Sequence, residues 1–287
     1  MLVAEGSFLR GAGKANPATV GEFRLDAFEV TVGRFRKFVD AWANGWRPKA
    51  GAGKHAHLNA GRGLVDTTGG HESGWTDAWT RYVGAPSASG VLPEKPGASN
   101  VSGFTSALAC SKQNQTWTPV SGTNESRPQN CLSWYDLAAF CTWDGGFLPS
   151  ESEWEYAAAG GGEERTYPWG STEPGSDAAL AAYGCFFSGS GTCTGVGNVA
   201  PAGSIAAGNG KWGQSDLAGN VWEWTLDWLA PLPTTCVNCS KATGGADRVV
   251  RGGAYHNEAP YLPSAVRISA YPALRNENTG GRCARNP

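Results

Sequence analysis

Eight cysteines in a chain that also carries 41 glycines set the tightest limit on what this sequence can fold into. An even cysteine count in a Gly-rich, Lys-poor chain points to disulfides and an oxidising compartment. Spacing adds detail. Cys236-x-x-Cys239 lies in a Pro/Thr/Asn stretch, and Cys185 and Cys193 bracket the Gly/Ser-rich segment 186–192, so both pairs read as local loop staples. The competing readings of the C-x-x-C are zinc and redox. Zinc needs a second ligand pair, and the sequence has neither another C-x-x-C nor a nearby His pair. A redox C-x-x-C opens a helix, and no helical pattern follows this one. The staple reading is therefore preferred.

Hydrophobic residues make up 40% of the chain and charged residues only 17%. Glycine, proline and small polar residues fill the gap, which argues for a loop-rich fold rather than a helical bundle. Thirteen tryptophans must then supply much of the core. A net charge of -2 without a basic block leaves no electrostatic footprint for nucleic acid. No apolar run approaches the length of a membrane span. The first residues, Met1-Leu-Val-Ala-Glu-Gly, lack a basic start and an apolar stretch, so the expectation is that an export signal has been removed. Asn100, Asn114 and Asn124 stand in N-x-S/T sequons.

Along the chain, residues 23–30 alternate as a half-buried strand does. Thr31 caps a helix with Val32, Phe35, Phe38 and Val39 on its apolar face. Residues 45–130 read as long loops. Ser133 and Ser150 each open a helix with an acidic residue three positions on, at Asp136 and Glu153. Residues 248–255 and 281–285 read as final strands. No 20–50-residue repeat and no linker divides the chain, so a single domain over 1–287 is expected.

Several segments carry more than fold information. They are Phe147-Leu-Pro-Ser-Glu-Ser-Glu-Trp-Glu-Tyr156, Tyr167-Pro-Trp-Gly170, Leu217-Ala-Gly-Asn-Val-Trp-Glu-Trp224, Arg248-Val-Val-Arg-Gly-Gly253 and Gly281-Arg-Cys-Ala-Arg285. Together and in this order they resemble the formylglycine-generating-enzyme (sulfatase-modifying factor) superfamily. The resemblance runs from Glu5 to Arg285. It implies an α+β, C-type-lectin-like fold of short twisted sheets, helices and much loop. It also implies a bridge from Cys141, on a helix, to Cys283 in the last strand. With the two local pairs assigned, Cys110 and Cys131 make the fourth.

Enzymes of that family hold copper(I) on two thiolates after the R-G-G motif, four residues apart, and soft sulfur cannot be exchanged there for harder ligands. The matching positions here are Asn257 and Leu262, and the serine after Gly-Gly is Ala254. No formylglycine-generating oxidase activity and no copper are expected. The iron-dependent sulfoxide synthases of the superfamily use three histidines. Here only His55, His57 and His71 could contribute, and they read as surface loop residues. Glu151, Glu153 and Glu155 read as a helix-start cluster rather than acid–base groups.

The resemblance also implies structural Ca²⁺ held by Asp216, the carbonyls of Gly219 and Val221, and Glu223, a hard-oxygen set suited to that ion. A second family Ca²⁺ site, between Tyr183 and Gly197, lacks a carboxylate and is not expected. The family's phenylalanine before the final Arg-Cys is Gly281, so a neighbouring ring must fill its space.

The reading that follows is a non-catalytic, exported or surface-anchored binding module, in the style of bacterial lipoproteins. Trp222, His256, Asn257, Glu258, Tyr261, Arg267 and Arg275 are its candidate ligand-binding residues, and a protein, peptide or glycan is its partner. The alternatives are a redox or non-haem iron enzyme of altered mechanism, or a self-associating subunit of a cell-surface assembly. A variable protein of a diversity-generating retroelement is a related option, although its variable stretch is Asn-rich and this one is not.

Overall fold

The computed structural model describes residues 1–95, 97–189 and 191–287. The chain begins with β1 (Leu2–Val3), β2 (Gly6–Arg10), β3 (Asn16–Val20) and β4 (Phe23–Leu25), followed by α1 (Val32–Ala43). β5 (Val65–Asp66), α2 (Val101–Leu108), α3 (Trp134–Trp143) and α4 (Glu151–Ala158) come next. The C-terminal part adds β6 (Trp222–Trp228), β7 (Cys236–Val237), β8 (Cys239–Ser240), β9 (Arg248–Arg251), β10 (Arg267–Ala270), β11 (Thr279–Gly280) and β12 (Ala284–Arg285).

The strands form small sheets ordered β10-β9-β6-β11, β1-β4-β12, β2-β3-β7 and β5-β8. In the first, β6 runs antiparallel to β9 (Glu223 opposite Arg251) and parallel to β11 (Trp222 opposite Thr279). The G-N-V-W-E-W and R-V-V-R-G-G motifs therefore lie side by side although some 25 residues of sequence separate them.

Local chemistry accounts for the helices. Thr31 accepts from Arg34 N–H at the start of α1, whose buried stripe is Val32, Phe35, Phe38, Val39 and Trp42. Ser133 and Ser150 form complete capping boxes with Asp136 and Glu153. The stripe of α1 meets Phe104, Trp117, Trp134 and Phe140 in one aromatic core, with Phe35 stacked on Phe140 at 5.7 Å. Arg248 lies between the rings of Trp134 and Trp228, 3.9 and 3.6 Å from their centroids. Its charge is thus covered by two π faces.

All eight cysteines are bridged, as Cys110–Cys131, Cys141–Cys283, Cys185–Cys193 and Cys236–Cys239. Three local expectations need correcting. The segment 45–130 contains α2, capped by Asn100, whose side chain accepts from Gly103 N–H. The strand read over 23–30 stops at Leu25, and Phe28 turns outward over Gly203. The space at Gly281 is taken by an aliphatic side chain, not a ring. A Cβ there would lie 2.4 Å from Leu137 Cδ2, so Leu137 stands where the family's phenylalanine would.

Candidate functional site

The groove segment is set up by its glycines. Leaving β9, the chain turns through Gly252 and Gly253, at φ 98° and 81°. A Cβ on Gly252 would meet Trp154 at 3.2 Å, and one on Gly253 would meet the Tyr261 carbonyl at 3.1 Å. Both the left-handed backbone and the close approach demand glycine. The turn leads into the segment that carries Asn257 and Leu262. Leu262 is fully buried among Tyr167, Ala181, Tyr183 and Ala218. The backbone of Asn257 is held by Ala254 and Gly184, and its Oδ1 has no partner. Neither side chain offers sulfur, and no cysteine elsewhere is free.

Beside this segment an open cleft of about 450 Å³ is lined by Tyr183, Phe186, the Cys185–Cys193 bridge, His256, Glu258 and Ala259. His256 and Glu258 are exposed, and so is Tyr261, whose ring meets Trp222 edge-on at 6.0 Å. Partial burial of its ring lowers the His256 pKa, against the pull of Glu277.

Three other residues of the expected ligand-binding set are structural instead. Trp222 is buried. Arg267 donates two 2.7 Å hydrogen bonds to Glu151. Arg275 is buried against Asp136 and donates to the carbonyls of Ala85 and Cys131. Such arginines are not available to a ligand.

Behind the groove lies a charged enclosure. Arg282, fully buried, donates through Nε and Nη2 to both oxygens of Glu223 at 2.7–3.0 Å. Trp154 Nε1 donates to the same carboxylate at 2.9 Å. Glu29 accepts from Asn220 Nδ2 (2.6 Å) and Val221 N–H (3.1 Å), and Asp216 accepts from Gly203 N–H (2.6 Å). Three buried carboxylates thus share one guanidinium. Burial, with the neighbouring charges of Asp216 and Glu223, holds the Glu29 carboxyl well above its usual range, and burial pushes Asp216 up to about 6.

This enclosure is short of positive charge, and its oxygens are of the hard class that Ca²⁺ takes. Glu223 is already well supplied with donors: Oε1 accepts from Arg282 Nε and Nη2, and Oε2 from Arg282 Nε and Trp154 Nε1. Among the described residues no three His, Cys, Asp or Glu side chains gather as a metal-holding group. Calcium would therefore depend on the carbonyls of Gly219 and Val221 as well as on Asp216 and Glu223.

The histidines depart from expectation. His55 is not a surface residue; it is fully buried between Glu72 (Nδ1, 2.8 Å) and Glu153 (Nε2, 2.9 Å). Both ring nitrogens face carboxylates, so both donate, the ring is an imidazolium, and no lone pair remains for iron. Burial alone would lower its pKa, but Glu153 and Glu72 outweigh that and raise it to about 10. A folded-state pKa above the unfolded value of 6.5 gives stability that is complete below pH 6.5 and is lost as the pH rises through 10. Urea unfolding should show wild-type stability falling between pH 7 and pH 10, this group contributing on the order of 3–4 kcal/mol. His55→Gln should flatten that slope.

The α4 carboxylates are likewise committed. Glu153 completes the capping box and binds His55, Glu151 pairs with Arg267, and Glu155 with Arg251. The capping role was legible from the Ser-x-x-Glu spacing. The ion pairs were not, because their partners lie roughly a hundred residues away in sequence.

Fold and motifs together define a protein of the formylglycine-generating-enzyme type, with mixed helix and sheet and four disulfide bridges. Residues 1–287 match the sulfatase-modifying factor enzyme 1-like domain, and the chain belongs to that family. It is 29% identical to the formylglycine-generating enzyme of Thermomonospora curvata, over 96% of this chain and 86% of that enzyme. It is also 29% identical to inactive C-alpha-formylglycine-generating enzyme 2 of Mus musculus, over 96% of this chain and 78% of that protein. The solved structure of PvdO from Pseudomonas aeruginosa superposes with a TM-score of 0.62 at 17% identity, covering 100% of this chain and 94% of PvdO. Among the described residues no helix is long and apolar enough to cross a membrane.

Proposed function

We propose that this chain is a non-catalytic, extracytoplasmic binding module that keeps the family fold and has lost its oxidase chemistry. The observation that carries this reading is the replacement of both thiolate positions by Asn257 and a buried Leu262, with every cysteine in a bridge. A relative named as an inactive formylglycine-generating enzyme, matching 96% of this chain, is in keeping with it. The four disulfides support an oxidising compartment. Calcium at Asp216, Gly219, Val221 and Glu223 would tie the G-N-V-W-E-W turn to the loops around it and supply no catalysis. The binding surface is the cleft lined by His256 and Glu258, where an imidazole and a carboxylate can hydrogen-bond to a peptide or a glycan, with the exposed phenol of Tyr261 two residues beyond Ala259.

Metal analysis of the non-reduced protein, with thiol titration in guanidinium on the same sample, tests the reading. No titratable thiol, no copper or iron and about one calcium per chain are expected, together with no oxygen uptake on cysteine-containing peptides. Copper or iron near unit stoichiometry, or two free thiols, would sink it. On glycan and peptide arrays, His256→Ala and Tyr261→Ala should each weaken the strongest binder by about tenfold.

A further inference from the structure

The geometry points to a second chemical site, the Cys236–Cys239 bridge, as a disulfide that exchanges with small dithiols rather than a staple. As a staple it has little to do. It spans three residues, against 142 for Cys141–Cys283, so it withholds little entropy from the unfolded chain. The turn it closes is held without it. Asn238 N–H donates to the Thr19 carbonyl, Val65 N–H to the Asn238 carbonyl, and Gly21 N–H to Asn238 Oδ1, at 2.6–2.9 Å.

Cys236 Sγ meets a hydroxyl donor as well as the Cys239 carbonyl oxygen, 3.6 Å away. No helix follows the C-x-x-C in sequence, but tertiary packing brings the N-terminus of another helix, α4, to it. Ser152, the second residue of α4, places Oγ 3.7 Å from Cys236 Sγ. A disulfide sulfur carries no proton, so the serine is the donor. Arg10 Nη1, itself buried, donates to Ser152 Oγ at 3.2 Å and so turns the hydroxyl proton toward the sulfur. Cys239 borders a cavity of about 20 Å³, room for one water-sized group, whose lining includes the cations Arg10, Lys241 and Arg267 and the carboxylates Glu151 and Asp227. A hydroxyl, a helix N-terminus and a guanidinium all favour sulfur in its anionic form.

The exchange follows from this placement. A thiolate of the incoming dithiol attacks Cys239 Sγ, the Cys236–Cys239 bond breaks, and Cys236 leaves as the thiolate that accepts the Ser152 hydroxyl. The second sulfur of the dithiol then displaces Cys239. The bridge gains two electrons, Cys239 takes up one proton while Cys236 stays a thiolate, the dithiol's other proton passes to solvent, and the dithiol ends as a disulfide.

The test equilibrates the native protein across ratios of reduced to oxidised dithiothreitol, quenches with N-ethylmaleimide and locates the label by peptide mass spectrometry. Cys236 and Cys239 should label at a ratio about tenfold or more less reducing than Cys141 and Cys283 do, with the circular dichroism spectrum kept. Ser152→Ala should move that midpoint about threefold toward more reducing conditions, and Ser152→Thr should restore it, with the Cys185–Cys193 midpoint unmoved. Labelling of Cys236 and Cys239 only together with Cys141 and Cys283 overturns the proposal. So does a midpoint indifferent to Ser152→Ala. If Ser152→Ala does not fold, the order of labelling in the wild-type protein decides.

Discussion

Replacing Cys141 and Cys283 together by alanine should lower the unfolding free energy by about 4–5 kcal/mol and leave little folded protein at 37 °C. The bridge joins α3 to the residue before β12, both sulfurs are fully buried, and the closed loop spans 142 residues. The entropy withheld from the unfolded chain grows with the logarithm of that length, which makes this the most stabilising of the four bridges. Few backbone hydrogen bonds substitute for it: Gly146 N–H to the Cys141 carbonyl, and the Phe147–Ala284 bridge. The Cys236→Ala/Cys239→Ala pair is the internal control and should cost only about 2 kcal/mol. Guanidinium unfolding of the two double variants measures the difference. Equal losses would mean that loop length does not govern these bridges.

Arg282→Met should be comparably damaging for a different reason. It leaves Glu29, Asp216 and Glu223 buried without a counter-charge, at a cost of about 3–5 kcal/mol near neutral pH. The carboxylates escape by binding protons. Their folded-state pKa values then stand above the unfolded ones, so stability is greatest at low pH and falls as the pH rises through the folded values. The variant should melt highest near pH 4–5 and lose Tm steadily toward pH 8, and millimolar calcium should recover part of that loss. A uniform loss of Tm at every pH would assign the damage to packing instead.

Local signals were readable without coordinates wherever neighbours in sequence supply the physics. The Thr31 cap and the stripe from Val32 to Val39 depend on atoms within two turns. So do the Ser133–Asp136 and Ser150–Glu153 boxes; the turn at Gly252-Gly253 was not legible, because residues 248–255 read together as a strand that in fact ends at Arg251. Asn257 and Leu262 could be placed in the sequence because the R-G-G motif before them fixes their position in the chain. The short helix α2 was missed because an eight-residue segment with only Phe104 and Leu108 buried carries a weak period.

The site was less legible than the fold. Arg267 and Arg275 look like surface cations in sequence, and only packing shows that Glu151 and Asp136 claim them. His55 looks like a loop residue until Glu72 and Glu153 close on it from 17 and 98 residues away. The same holds at Cys236: the sequence shows a C-x-x-C with no helix behind it, and the tertiary structure supplies one from α4.

By itself, the sequence determined the family, the helix starts and the two local bridges, since each depends on residue identity, motif order or short spacing, whereas the Cys141–Cys283 bridge came only with the family resemblance. Only the tertiary structure decided which charges are paired, which histidine is an imidazolium and which bridge meets a helix N-terminus. Electrostatic energies depend on distance and burial, and both are created by folding.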